Sequence, residues 1–250
     1  MYKRPVIYLS AFKGKTTRRA SFQIKNAGTT KDLLTTATNL ADGFFQEDVG
    51  SWAHLGATAS PAGVMTLWRD GITRDDGSWT MTDGGAANLN NIVYSNAYLG
   101  SPRRRRRRGS SNFFTGALRD VRLYARNLPG AELMDLFKNT SAAVNRWELD
   151  NSGVNTGTTV DKVNLDLNGG AAFLSGGGVV LDGADDFLDL GGEFAFAATD
   201  GFTWCAWVRY DEQVEDYGYL LSLAAKYVTH VDPPAPLPAG AAGEEIIIQE

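Results

Sequence analysis

Short runs in which apolar residues occupy every second position, separated by glycine-rich turns, are the feature that most limits the fold. Residues 52–60 show this pattern, since small apolar side chains alternate there with polar or aromatic ones, as in a half-buried strand. Most of the 28 glycines lie between β-branched or aromatic runs, as expected where turns separate antiparallel strands. The sequence therefore predicts an all-β fold.

The same patterns place the individual strands. They are predicted at 5–12, 20–25, 52–60, 63–69, 91–99, 113–124, 163–174, 178–190, 202–210 and 217–225. Asp70-Gly71 follows one of these runs and predicts a hairpin turn, because an Asp-Gly pair tolerates positive φ.

One short helix interrupts the predicted strands. It is expected over 129–138, where Leu133, Leu136 and Phe137 lie on one apolar side. Three segments are expected to be irregular: 26–50 with at most one weak strand, the arginine-containing segment 100–112, and the proline-rich segment 229–243.

Length and composition fit one large β-domain or two small ones. A sandwich of 250 residues with 43% hydrophobic residues buries enough surface to fold without a disulfide or a structural metal. No run of 18 apolar residues occurs, so no membrane span is predicted. Cys205 lies in an apolar strand and is expected to be a buried, inert thiol. The amino terminus shows no secretory pattern.

The charge is unevenly distributed. Six consecutive arginines contribute +6 to a net charge of −5, so the rest of the chain carries −11. These arginines are Arg103, Arg104, Arg105, Arg106, Arg107 and Arg108. An acidic body with one basic loop is not typical of a specific nucleic-acid binder. The run could bind a polyanion or be a protease-processing site. A solvated low-complexity loop is favoured, because no aromatic residues interleave the arginines.

Two groups of motifs resemble the laminin G-like, pentraxin-like jelly-roll family of concanavalin A-like lectins and glucanases. Its opening half resembles Trp147-Glu-Leu-Asp150, Val179-Val-Leu-Asp-Gly-Ala-Asp-Asp-Phe-Leu-Asp-Leu190 and Phe202-Thr-Trp-Cys-Ala-Trp-Val208. Its closing half resembles Ser51-Trp-Ala-His-Leu55, Leu67-Trp-Arg-Asp-Gly71, Tyr98-Leu-Gly100 and Phe114-Thr-Gly-Ala-Leu-Arg-Asp-Val-Arg-Leu-Tyr-Ala-Arg-Asn-Leu128. The single positions that carry the motif are Trp52, His54, Asp70, Gly71, Gly116, Arg126 and Trp207. The resemblance implies a two-sheet antiparallel jelly-roll sandwich with one short helix.

The two halves occur in swapped order. The closing half spans 1–140, the opening half spans 145–224, and 225–250 form a proline-rich linker and tail. The chain is therefore either a piece of a tandem array or one circularly permuted sandwich. Permutation is favoured if the chain folds alone, because a half sandwich would expose open sheet edges. Adjacent placement of strands 202–210 and 113–124 would indicate one closed sandwich.

A short repeat accompanies the swapped order. Ile7-Tyr-Leu-Ser-Ala-Phe-Lys13 aligns with Leu220-Leu-Ser-Leu-Ala-Ala-Lys226. If both copies derive from the same strand of the family, they should compete for one position, leaving one of them displaced or at a sheet edge.

The resemblance implies a non-catalytic recognition or adhesion module, extracellular or at the cell surface, that binds a glycan or a protein as part of a longer protein. A glycoside hydrolase on the same fold is the alternative. It needs closely spaced carboxylates on one strand face, expected at positions i, i+2 and i+4. Glu148-Leu-Asp150 starts this pattern, but the third acid is missing. No catalytic residue is predicted. His54 is expected to pack structurally, and His230, beside the proline-rich segment, is expected to be solvated.

Asp182, Asp185 and Asp186 form an acidic turn that could bind calcium through carboxylate oxygens. The alternative is a hairpin turn at Asp182-Gly183 flanked by surface charges. It is favoured, because one cluster does not complete a shell of 6–8 oxygens. Sheet-face aromatics could stack on sugar rings, although most are expected in the core; they are Trp68, Trp79, Tyr94, Tyr98 and Trp207.

Overall fold

The computed structural model of the chain describes residues 6–14, 17–26, 29–35, 50–73, 79–81, 92–101, 113–137, 145–158, 162–196, 199–211 and 217–225. In chain order its strands and helix are β1 (Val6–Gly14), β2 (Thr17–Asn26), β3 (Thr29–Thr35), β4 (Trp52–Ala59), β5 (Met65–Arg69), β6 (Ile72–Thr73), β7 (Trp79–Met81), β8 (Ile92–Leu99), β9 (Thr115–Tyr124), α1 (Gly130–Phe137), β10 (Asn145–Trp147), β11 (Asp166–Asn168), β12 (Ala172–Phe173), β13 (Val179–Asp182), β14 (Phe187–Asp189), β15 (Phe194–Phe196), β16 (Phe202–Tyr210) and β17 (Tyr217–Ala225).

These strands form two antiparallel sheets. Sheet A has the order β11-β14-β8-β17-β1-β2-β3-β7, with β15 also paired to β8. Sheet B has the order β12-β13-β9-β16-β4-β5-β6, with β10 also paired to β9. The predicted all-β sandwich of two antiparallel sheets with one short helix is confirmed. In the described residues, no helix is long and apolar enough to cross a membrane.

Strands from the two parts of the chain alternate in both sheets. In sheet B, β16 lies between β9 and β4, with Thr203 opposite Tyr124 and opposite Thr58. In sheet A, β17 lies between β8 and β1. Side chains from both parts, such as Leu67 and Trp204, belong to one buried core. This is the arrangement expected of a closed sandwich.

The repeated strand is accommodated in a way that the sequence did not predict. β1 and β17 are antiparallel neighbours in the interior of sheet A, with Ile7 opposite Leu223 and Leu9 opposite Leu221. The expected competition for one position is therefore wrong. Both copies keep their apolar side chains in the core, because each copy has its own position in the sheet.

Two other predicted strands, 163–174 and 178–190, are divided between the sheets. β11 and β14 belong to sheet A, whereas β12 and β13 belong to sheet B. The chain passes from one sheet to the other at residues 183–186. Asp182-Gly183 is therefore not a hairpin turn. The hairpin predicted at Asp70-Gly71 is confirmed: both residues have positive φ, at 52° and 75°, and they join β5 to β6.

Helix α1 covers part of the outer face of sheet B. Its buried Leu133 and Leu136 pack with Tyr124 of β9 and Cys205 of β16 in a second apolar cluster. The predicted burial of Cys205 is confirmed, and burial raises the pKa of its thiol to about 12.

Candidate functional site

The acidic loop, residues 182–186, joins β13 to β14. One carboxylate oxygen from each of Asp182, Asp185 and Asp186 lies within 4.8 Å of the others. Asp182 and Asp185 are exposed, whereas Asp186 is buried. The three residues that the sequence offered as a candidate calcium site are therefore close together.

The conformation of the acidic loop is set by its own first residue. Oδ1 of Asp182 accepts hydrogen bonds from the backbone N–H groups of Ala184, at 2.7 Å, and Asp185, at 3.4 Å. This local bonding is the usual reason for aspartate in turns. Gly183 has φ +79°, and a Cβ at this position would overlap Oγ1 of Thr115 on β9. A glycine is therefore required for the loop to lie against β9.

Asp186 fastens the acidic loop to a neighbouring loop. Its Oδ2 accepts a hydrogen bond from the backbone N–H of Asp182 at 2.9 Å, and its Oδ1 accepts one from Gly170. Gly169 allows this approach, because a Cβ there would press on the backbone of Asp185 and on Asp186 itself. Asp186 thus has a structural role irrespective of any ligand.

The donor chemistry of the acidic loop fits a hard cation. Within the described part of the chain, neither Asp182 nor Asp186 forms an ion pair with a lysine or arginine. Three carboxylates at such short distances repel one another, and a divalent cation relieves this repulsion. Because calcium takes 6–8 oxygens, backbone carbonyls, water or ligand hydroxyls would have to supply the rest.

The predicted motif residues on β4 and in the following turn lie together. His54 is buried, with its ring centre 5.5 Å from Trp207 and 6.1 Å from Phe137 of α1. Burial, followed by the charge of Arg122, lowers the pKa of His54 to about 4, so the imidazole is neutral near pH 7. Oδ1 of Asp70 accepts the backbone N–H of His54 at 2.9 Å.

Two further motif residues fasten β9 to its neighbours. Gly116 has φ +148°, and a Cβ there would overlap the backbone oxygen of Arg209 on β16. Arg126, just after β9, donates two hydrogen bonds to the carboxylate of Glu132 in α1, at 3.1 and 2.6 Å.

Sequence reasoning missed a second group of side chains, the Trp–Arg ladder of Trp52, Arg119, Trp207 and Arg209. The guanidinium carbon of Arg119 lies 4.4 Å from the ring centre of Trp52 and 5.1 Å from that of Trp207. The guanidinium carbon of Arg209 lies 5.4 Å from the ring centre of Trp52. The two tryptophans were singled out as motif residues, but the arginines come from strands whose pairing no local spacing reveals.

Some predicted residues lie outside the described ones. These are Arg103–Arg108, His230 and the tail from residue 226 onward. Trp79 lies in β7, but its side chain is not described. Tyr94 and Tyr98 are buried, and Trp68 packs against the apolar cluster under α1.

The acidic loop begins at the end of β13 in sheet B, and the Trp–Arg ladder lies on β4, β9 and β16 of the same sheet. Asp182 pairs with Thr115 on β9, four residues along the strand from Arg119, a separation of about 13 Å. Comparison of the chain with protein-family models, with curated proteins and with solved structures gives no match.

Proposed function

We propose that this chain is a non-catalytic recognition module of the laminin G-like, concanavalin A-like type, which binds a glycan at the acidic loop with the help of calcium. The single observation that carries the proposal is the approach of three carboxylate groups within 4.8 Å of one another. The motifs in swapped order support the family, and the two-sheet sandwich is compatible with it. An extracellular location is part of the same proposal.

Each aspartate has a distinct part in this proposal. Asp186, held by two backbone N–H groups, fixes the loop. Asp182 and Asp185 are exposed and would hold the cation together with it. Calcium, when bound, supplies a positive ion that can coordinate glycan oxygens. Extracellular calcium modules bind the ion with dissociation constants of about 10⁻⁴–10⁻³ M, and an exposed site with three carboxylates is expected in that range.

The test measures calcium binding first and glycan binding second. Calcium is titrated calorimetrically into the wild type, into Asp185→Asn, and into Asp166→Asn as a matched control on the edge strand β11. We expect binding by the wild type and the control, and a loss of at least about tenfold in Asp185→Asn, since one charged ligand is removed.

Glycan binding is then measured on a panel with calcium and with chelator. Binding that needs calcium and is lost in Asp185→Asn supports the proposal. A wild type that takes up no calcium at millimolar concentration, or that binds neutral glycans equally well with chelator, refutes the role of calcium. Binding to an extracellular protein and to no glycan refutes the choice of ligand.

The glycoside hydrolase alternative stays a prediction. A retaining hydrolase needs two carboxyl groups about 5–5.5 Å apart. Glu148 and Asp150 were the pair that the alternation suggested. They do not continue one strand, because β10 ends at Trp147 and the buried Leu149 has φ +64°. Binding through Arg103–Arg108 also stays a prediction, outside the described residues.

A further inference from the structure

The Trp–Arg ladder lies on the outer face of sheet B. Trp207 alternates along β16 with the core residues Ala206 and Val208, so its side chain points away from the core. Arg119 on β9 is directly opposite Trp207, and Trp52 on β4 is directly opposite Arg209. All four side chains are half-buried. The guanidinium of Arg119 contacts both indoles.

The other arginines of this face have carboxylate partners. Arg122 and Arg146 bind Asp120. Arg209 donates two hydrogen bonds to the carboxylate of Asp211, at 2.5 and 2.7 Å.

Arg119 differs from these arginines. It forms no ion pair within the described part of the chain. Contact with aromatic rings stabilises a guanidinium, and the N–H groups along the edge of that planar group can still donate to a ligand. Those N–H groups match the two oxygens of a carboxylate. A single anionic group would therefore complement this cation.

We propose that Arg119, flanked by Trp52 and Trp207, binds the carboxylate of an acidic sugar residue. The inference rests on the proposed glycan recognition and names its ligand class. A sugar acid presents a carboxylate on a ring with an apolar face, which suits a guanidinium between two amphipathic indoles. The carboxylate of an acidic peptide is carried on a flexible side chain without such a ring, so the indoles favour the sugar.

The site does not require calcium, because its positive charge belongs to the chain. It also lies about 13 Å along β9 from the residue that pairs with Asp182. Failure of one site can therefore be separated from failure of the other.

The experiment titrates the full chain, in the presence of chelator, with a uronic-acid oligosaccharide and with the same oligosaccharide after reduction of its carboxyl groups to alcohols. We expect the acidic form to bind at least about tenfold more tightly, as one charge-assisted bidentate contact predicts. Arg119→Gln should abolish the preference, Arg119→Lys should retain part of it, and Arg126→Gln, which removes an arginine paired with Glu132 outside the ladder, should leave it unchanged.

Thermal unfolding of each variant shows whether it is folded. If Arg119→Gln does not fold, Arg119→Lys tests the same site with the positive charge kept. Equal affinity for the two oligosaccharides, no binding of either, or an unchanged preference in Arg119→Gln overturns the inference. So does binding of a glutamate-rich peptide in place of the sugar. If calcium-dependent glycan binding occurs but the wild type shows no preference for the acidic oligosaccharide in chelator, the proposed function stands and this inference fails.

Discussion

The carboxylate of Asp120 and the guanidinium of Arg122 are joined by two hydrogen bonds of 3.0 and 2.5 Å, although the residues are only two positions apart on β9. A strand bulge makes this possible. Arg119 lies opposite Trp207 and Arg122 lies opposite Cys205, so β9 contains one extra residue at this point. Asp120 itself has φ +46°, a conformation that aspartate tolerates better than most residues. The bulge thus gives the buried Arg122 its counter-ion.

Replacing Asp120 tests this dependence. Asp120→Asn keeps the shape but removes the charge beside Arg122, which is 1% exposed. The free energy of unfolding should fall by about 3 kcal/mol, because a buried cation loses the carboxylate that neutralises it. Urea denaturation measures the change. Asp211→Asn, at the more exposed pair with Arg209, should cost less than about 1 kcal/mol; equal losses would contradict the account.

The same ion pairs predict a pH dependence. Burial opposes ionisation of Asp120, but hydrogen bonds and charge from Arg122 and Arg146 hold its pKa below the ordinary 3.8. A carboxyl group with a depressed pKa in the folded state stabilises the protein above the unfolded pKa and loses that contribution as the pH falls below it. The stability gap between the wild type and Asp120→Asn should therefore narrow below about pH 4. A gap that stays constant between pH 6 and pH 2.5 would refute this.

His54 should make the stability of the protein depend on pH at higher pH values than Asp120 does. Its pKa is lowered from 6.5 to about 4, so between these values the unfolded chain binds a proton that the folded chain does not. Stability should decrease as the pH falls through this window, by up to about 3 kcal/mol. His54→Phe should flatten the decrease, and an NMR titration of the His54 ring signal gives the pKa directly. A midpoint near 6.5 would be inconsistent with burial.

Gly116 should not tolerate a side chain. Gly116→Ala places a Cβ on the backbone oxygen of Arg209 at φ +148°, and we expect a loss of at least about 2 kcal/mol in unfolding free energy. Gly176→Ala is the control, because a Cβ there meets nothing within 4 Å; its effect should be within about 0.5 kcal/mol. Thermal and urea unfolding distinguish the two variants.

The acidic loop should depend on Asp186 even without calcium. Asp186→Ala leaves the N–H groups of Asp182 and Gly170 without their acceptor, at a cost of about 2 kcal/mol. Asp166→Ala, at an exposed position on β11, should change stability by less than about 0.5 kcal/mol. Both are measured in chelator. An unaffected Asp186→Ala would mean that the backbone bonds do not stabilise the loop.

The sequence predicted the long strands better than the short ones. Residues 202–210 and 217–225 were predicted with the bounds that β16 and β17 have, because their apolar runs extend across the sheet. The four strands that were not predicted, β6, β7, β10 and β15, are three residues long or shorter. β3 lies within 26–50, where at most one weak strand was expected. Alternation also does not report which sheet a residue joins, so 178–190 was predicted as one strand.

The candidate sites differ in the same way. Asp182, Asp185 and Asp186 are close in sequence, so local spacing was enough to identify them. Arg119, Trp207 and Trp52 meet only because β9, β16 and β4 pair in one register. That register depends on which side chains enter the core. The three strands are far apart in the sequence, so no short motif predicts how they pair.

The pairing of β1 with β17 affects how the molecule would respond to mechanical force. Val6 is opposite Ala224, so the start of β1 and the end of β17 lie next to each other at one end of the strand pair. Tension applied between these ends would separate the residue pairs one after another, starting at Val6, instead of shearing them all at once. Sheet A should therefore open at low pulling force, despite the buried leucines beneath it.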